Sequence, residues 1–215
     1  MNMENDLLWW LGVLHTDCYI YKRNGSIREL RLRVSKSSFK MLIKWKRILD
    51  VLTRKSHKIH KEENYDKRYN KAWVSFLVRE GSKSTLNTLV QKLPIKNFHF
   101  NYDFSEWLRE RYLGPYLAGV IDGDGCIQIR KRYCDKGYEQ LLKIADKTPE
   151  KLIMLQQMLL KEGMPKGYIT KYKNHSDLWI YISKKFEKWL KINVTPYLTA
   201  PHKIQRICSG SLGGE

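Results

Sequence analysis

Asp122 and Asp124 stand in the stretch Leu117-Ala118-Gly119-Val120-Ile121-Asp122-Gly123-Asp124-Gly125, with a glycine on each side of the second acid. Glycines after an apolar run of helical period mark a helix C-terminus. That end carries partial negative charge on its unpaired carbonyls, so a carboxylate there is normally unfavourable. A cation removes the conflict, because carboxylate and bare carbonyl oxygens suit a hard divalent ion such as Mg2+ or Mn2+. A degenerate copy lies near the N-terminus. Trp10-Leu11-Gly12-Val13-Leu14-His15-Thr16-Asp17-Cys18 aligns without gaps, placing Gly12 on Gly119, Val13 on Val120 and Asp17 on Asp124. The separation is 124 − 17 = 107 residues, the size of one small domain. If the two helices pack through Gly12, Ala118 and Gly119, their ends bring Asp17 and Asp124 together. Carboxylates that close repel unless protonated or bridged by metal. Paired acids with divalent ions suit in-line displacement at phosphorus, one ion activating water and another stabilising the leaving oxygen.

The elements that would position these acids repeat along the chain. A helix capped by Asn5 or Asp6 is expected to run to about Thr16, followed by a strand at 19–23. Asn24-Gly25 is a strong hairpin signal, and the return strand alternates, with Leu30, Leu32 and Val34 on one face and Glu29, Arg31, Arg33 and Ser35 on the other. Ser37 or Ser38 should cap a helix to about Leu52, with Phe39, Leu42, Ile43, Trp45, Ile48 and Leu49 as its buried stripe. A short strand and loop are expected within 53–71, a strand at 73–79 and a helix at 82–93 ended by Pro94. Residues 95–104 read as a linker, and Asp103 or Ser105 should start one long helix ending in the Asp124 motif. The second half repeats the order, with strands at about 126–133 and 138–146 around a Lys136-Gly137 turn. A helix opening at Thr148-Pro149, strands at about 167–173 and 178–183, and helices at 184–192 and 202–208 complete it. A repeat at domain scale predicts a pseudo-twofold molecule: one half at 1–100, the other at 101–215, with a loose Gly/Ser-rich tail at about 209–215.

Composition narrows the partner. Forty Lys+Arg against 22 Asp+Glu give a formal charge of +18 over 215 residues, and 42% hydrophobic residues suffice for a packed core. A folded chain this basic points to a polyanion, most simply nucleic acid, although charge alone does not separate it from a generic basic protein. Cys18, Cys126, Cys134 and Cys208 lack CxxC spacing, which argues against zinc and for reduced thiols. There is no run of eighteen apolar residues and no signal-peptide pattern. The expectation is a soluble intracellular protein, cytoplasmic in a prokaryote or inside an organelle, with no membrane partner. His57 and His60 read as solvated or phosphate-touching, and Trp9, Trp45, Trp73 and Trp179 as residues of apolar faces.

The stretch LAGVIDGDG at 117–125, with its partner at 10–18, resembles the signature motif of the LAGLIDADG homing endonucleases in their single-chain, two-motif form. The resemblance implies an α+β fold of two pseudo-symmetric αββαββα subdomains, with antiparallel four-stranded sheets forming a DNA-binding saddle and the motif helices at the interface. It implies an enzyme, a Mg2+-dependent endonuclease associated with an intron or intein. Such an enzyme hydrolyses both strands of a long asymmetric duplex target and leaves short 3′ overhangs. The alternatives are an intron-splicing maturase, with intron RNA as a further partner, and a non-cleaving binder. Carried over, Asp17 and Asp124 bind metal, helped by the main-chain carbonyls of Thr16 and Gly123. Val34-Ser35-Lys36-Ser37-Ser38 aligns with Ile144-Ala145-Asp146-Lys147-Thr148 as a family segment at the active-site edge. Lys36 and Asp146 hold its solvent-ordering position, and Lys40 follows at the same edge. A lysine there could stabilise developing charge, and Lys203 is similar to a late lysine beside the site. Tyr21, Arg23, Arg31, Arg33, Gln128, Arg130, Arg132 and Lys143 are the expected DNA-binding residues on the sheets. Two departures stand out: His15 replaces the first motif aspartate, and Cys18 replaces the closing glycine, where a left-handed conformation is expected. Asp122 and His15 are read as helix-capping or structural residues. Both half-sites lie on one chain, so a monomer is expected.

Overall fold

A computed structural model describes residues 2–66, 70–93, 102–131 and 138–209. Helix α1 (Met3–Thr16) leads into strands β1 (Cys18–Arg23) and β2 (Ser26–Ser35), helix α2 (Phe39–Thr53), strands β3 (His60–Asp66) and β4 (Lys71–Glu80), and helix α3 (Lys83–Lys92). The second half comprises α4 (Tyr102–Arg109), α5 (Leu113–Gly123), β5 (Gly125–Lys131), β6 (Tyr138–Asp146), α6 (Pro149–Lys161), β7 (Tyr168–Lys171), β8 (Ser176–Tyr181), α7 (Lys184–Asn193) and α8 (Pro201–Cys208). The two antiparallel sheets run β1-β2-β4-β3 and β5-β6-β8-β7, the same order twice. The fold is the expected α+β pair of pseudo-symmetric units, each with an open four-stranded sheet.

Local chemistry explains most of these elements. Asn24 and Gly25 take φ of 50° and 71°, the left-handed pair that a two-residue hairpin turn requires. In β2, Leu30, Leu32 and Val34 are buried against helices, and Arg31 and Arg33 face away. Helix α2 buries Met41, Leu42, Trp45, Ile48 and Leu49, and Trp45 stacks on Trp10 of α1 at 5.4 Å. The motif helices α1 and α5 are buried at the centre, as helices apolar on most sides must be.

Several expectations are corrected. The helix ending in the Asp124 motif is two helices, α4 and α5, broken at Tyr112, whose backbone is extended (φ −68°, ψ 106°). Pro115 lacks the N–H that a continuous helix would direct at the Arg111 carbonyl, and its ring would clash there. The cap of α1 is Asn2, which accepts from the Glu4 N–H at 3.0 Å, rather than Asn5 or Asp6. Ser38 and Thr148 precede their helices without a side-chain capping bond. Ile43 is 48% exposed and Trp73 44% exposed, so neither belongs to the core; Trp73 sits on the outer face of β4. Neither Cys18 nor Gly125 has positive φ among the described residues. Gly125 is required for space instead, because a Cβ there would come within 2.5 Å of Ile121 Cα. Cys18, Cys126 and Cys208 are free thiols. Cys134, Arg132, Pro94 and the expected turn at Lys136-Gly137 lie outside the described residues, as does nearly all of the expected tail. Among the described residues no helix is long and apolar enough to cross a membrane.

Candidate functional site

The site is built where α1 and α5 cross. A Cβ on Gly12 would lie 2.3 Å from the Tyr116 carbonyl oxygen, and one on Gly119 would lie 2.1 Å from that of Trp9. Only glycine permits so close an approach. The crossing brings the helix ends together: a Cβ on Gly123 would meet Thr16 Oγ1 at 2.1 Å and Asp17 Cβ at 3.6 Å. Asp17 and Asp124 are the two C-caps. Their N–H groups donate to the carbonyls of Val13 (3.0 Å) and Val120 (3.1 Å), so each residue closes the last turn of its helix.

Both carboxylates keep an open side to solvent yet are crowded by protein on the others. Burial, then the neighbouring Asp124 charge, pushes Asp17 from 3.8 up to about 6, and Lys203 partly offsets this. Burial also raises Asp124; Lys151 and Lys203 pull it down and Asp146 pushes it up. Two acids that resist ionisation at abutting helix ends form a site that a divalent cation would relieve. The donor set fits such an ion. Thr16 Oγ1 turns back to donate to the carbonyls of Gly12 (3.0 Å) and Val13 (3.2 Å), and Thr16 and Gly123, the last residues of α1 and α5, immediately precede the two acids. Among the described residues no group of three or more His, Cys, Asp or Glu is arranged to hold a metal ion. The remaining ligands would therefore be carbonyls, waters and a phosphate, the habit of Mg2+.

Two lysines close the helix ends. Lys203 Nζ donates to the carbonyls of Ile121 (2.5 Å) and Asp122 (2.9 Å); burial lowers its pKa, against the pull of nearby acids. Lys151 Nζ donates to the His15 carbonyl and to Asp146 Oδ2, while Asp146 Oδ1 accepts from the Thr148 N–H at 2.8 Å. A cleft of about 520 Å³ opens beside this group, lined by His15, Asp124, Asp146, Lys147, Lys151 and His175 among others. The structure thus brings Asp17, Asp124, Thr16, Gly123, Asp146 and Lys203 together. Lys36, in the turn before α2, and Lys40, in its first turn, are exposed and line no part of this cleft. Sequence reasoning missed Lys151. By the alignment of Val34 with Ile144, its place in the first half is Met41, a core residue, so no repeat signal marked it.

Asp122 is structural, as read from the sequence. It is 4% exposed and accepts from Trp9 Nε1 (3.0 Å), the Thr199 N–H and hydroxyl (both 2.9 Å) and the Ala200 N–H (3.2 Å).

Among the described residues, those expected to meet nucleic acid lie on the outer sheet faces. Tyr21 and Arg23 of β1 are exposed and share a face with Arg31 and Arg33 of β2. Gln128 and Arg130 share a face with Lys143 in the second sheet. Four of these cations are held by acids: Arg31 by Glu29 (3.4 Å), Arg33 by Glu62 (2.7 Å), Arg130 by Glu139 (2.5 Å) and Lys143 by buried Asp177 (2.8 Å). Trp179 lies on this face too, half-buried and stacked against Tyr168. His57, expected to be solvated, instead lies between Asp50 (2.7 Å) and Glu80 (3.2 Å) with its ring nearly buried.

No protein-family profile matches the chain, and no curated protein does. Solved structures do. The homing endonuclease I-WcaI, bound to its DNA recognition sequence, aligns with TM-score 0.64 and 17% identity over 94% of this chain and 86% of its own. The LAGLIDADG meganuclease I-AabMI, bound to uncleaved DNA, aligns with TM-score 0.58 and 12% identity over 95% and 90%. I-DmoI in complex with DNA and Mn aligns with TM-score 0.55 and 16% identity over 90% and 97%. Full-length DUF199/WhiA from Thermatoga maritima aligns with TM-score 0.54 and 18% identity, over 97% of this chain and 61% of its own. At these identities the likeness is one of fold.

Proposed function

Starting from its LAGLIDADG homing-endonuclease fold, we propose that this chain is a site-specific DNA endonuclease. It hydrolyses both strands of a long duplex target with a divalent cation, leaving short 3′ overhangs, and serves the mobility of an intron or intein. The observation that carries this reading is the placement of Asp17 and Asp124 at abutting helix ends between two basic, open sheets. Residues 1–100 and 101–215 act as two halves of one monomer, each sheet reading half of the target.

In this mechanism the sheets hold the duplex through exposed Arg and Lys side chains, so that two phosphates on opposite strands lie over the helix ends. Asp17 and Asp124, Asp17 being ionised above about pH 6, would hold Mg2+ or Mn2+ together with the Thr16 and Gly123 carbonyls. The bound cation supplies water activation and charge neutralisation at phosphorus. Lys203 adds positive charge beside both acids, aimed at the place where negative charge would develop on the phosphate.

The test is cleavage of a duplex library in Mg2+ or Mn2+ against EDTA, with Asp124→Asn as control. Metal-dependent double-strand cutting, lost in the variant with DNA binding retained, supports the reading. Tight duplex binding with no cutting under any divalent metal would instead favour a non-cleaving binder or maturase. WhiA, which shares the fold without being described as a nuclease, keeps that reading in view.

A further inference from the structure

The 107-residue offset that superposes the two motifs also superposes two hydrogen-bond acceptors. Asp122 O accepts from Lys203, and His15 O, its equivalent at 122 − 15 = 107, accepts from Lys151. The two lysines are not equivalent in the chain. Lys203 lies on α8, whereas Lys151 lies on α6, at a place held in the first half by buried Met41. One ammonium thus sits on the C-terminal end of each motif helix, and both come from the second half. Asp146 grips the Lys151 ammonium from behind, and Lys151 lines the open cleft with Asp124. An ammonium has three donors. The His15 carbonyl and Asp146 account for two, which leaves one for an anion in the cleft.

We propose that Lys151 is the stand-in mate of Lys203, a cation presented to the phosphate of the strand cut on the Asp124 side, with Asp146 as its positioning residue. The proposal rests on the nuclease reading above. Lys151 offsets charge on the phosphate and transfers no proton. The Asp146 carboxylate thereby gains a use: it fixes a cation reaching in from another element.

The experiment is a strand-resolved time course on supercoiled plasmid carrying a target recovered by the wild-type protein from a randomised duplex library. Lys151→Ala, Lys151→Met and Asp146→Asn are compared with wild type, with and without added methylammonium. Lys151→Met retains the side-chain stem and so separates lost charge from lost packing. Cutting of one strand should slow on the order of a hundredfold in both Lys151 variants, with nicked plasmid accumulating and duplex affinity within about twofold of wild type. Methylammonium should restore that strand in Lys151→Ala, and Asp146→Asn should show a smaller slowing of the same strand. Equal slowing of both strands without rescue, or no change in either, would overturn the assignment while leaving the nuclease reading intact. A wild-type protein that cuts no DNA in Mg2+ or Mn2+ would overturn both.

Discussion

Trp9 Nε1 donates to Asp122 Oδ2 at 3.0 Å across the helix crossing. The pseudo-twofold carries this pair onto Tyr116 and His15, whose hydroxyl and ring nitrogen lie 3.2 Å apart; both offsets are 107 (116 − 9 and 122 − 15). The first-motif aspartate has thus been replaced together with its partner, indole and carboxylate on one side becoming phenol and imidazole on the other. Asp122 does more than His15, because it also anchors Thr199 and Ala200 and so the start of α8, which carries Lys203. Asp122→Ala strips the acceptor from four buried donors and should cost about 3 kcal/mol, lowering the melting temperature by roughly 6–12 °C. Trp9→Phe should cost about 1 kcal/mol. A thermal melt with both variants near wild type would remove Asp122 from its structural role.

Gly119→Ala places a methyl group 2.1 Å from the Trp9 carbonyl oxygen. The helices must separate, so stability should fall by about 3 kcal/mol or more, and cleavage should fall with it as the acids part. Ala118→Gly, one residue away, should lose only about 1 kcal/mol. Equal melts for Gly119→Ala and wild type would show that the crossing is looser than described.

The two motif acids give a pH signature of definite sign. Asp17 rises from 3.8 to about 6, so the folded state holds its proton more tightly than the unfolded chain. Without metal, stability falls as pH rises from about 4 to about 6, and the penalty is complete above that. Asp17→Asn should therefore melt higher than wild type by up to a few degrees at pH 8 in EDTA, and equally at pH 4. In Mg2+ the wild type should close the gap, and cleavage should rise through about pH 6 as Asp17 ionises. An Asp17→Asn melt that tracks wild type at every pH would show that neither burial nor the Asp124 charge resists ionisation of Asp17.

The Asp50-His57-Glu80 group acts in the opposite sense. Burial alone would raise Asp50 and Glu80, but hydrogen bonds outweigh it: from Lys46 and His57 to Asp50, and from the Ser82 N–H and His57 to Glu80. Both acids lie below their ordinary values of 3.8 and 4.5. Their contribution is present above those values and is lost as pH falls through the lowered ones. His57→Gln should weaken the protein at pH 7 and flatten the acid limb of a stability profile. A parallel profile, merely shifted, would show that His57 does not hold these acids.

Acids on the sheet faces pair with the arginines there: Glu62 with Arg33 and Glu139 with Arg130. Glu62→Gln frees Arg33, and Glu139→Gln frees Arg130. Each should tighten binding to non-specific duplex and steepen log K against log[salt] by up to about 0.9 per phosphate gained. An unchanged slope would mean that these pairs do not compete with phosphate.

The motif pair, the doubled order of elements and the alternating strands were legible in the sequence, because spacing and hydrophobic period reflect local backbone geometry. Gly12, Gly119, Asp17 and Asp124 could be placed for that reason. The break at Tyr112 was partly legible too, since Pro115 encodes it, but the helical spacing of apolar residues from Trp107 through Ile121 concealed it. What only the tertiary structure decided depends on side chains meeting across long stretches of chain. Trp73 looked like core until its sheet face was known, and His57 looked solvated until β4 brought Glu80 to it. The arginines of β2 and β5 looked free until Glu62 and Glu139 came opposite them. Lys151 is the sharpest case. It is 27 residues from Asp124 and 136 from His15, and nothing in spacing or period links them. An ammonium on a long stem finds its acceptors only when helices from both halves are packed.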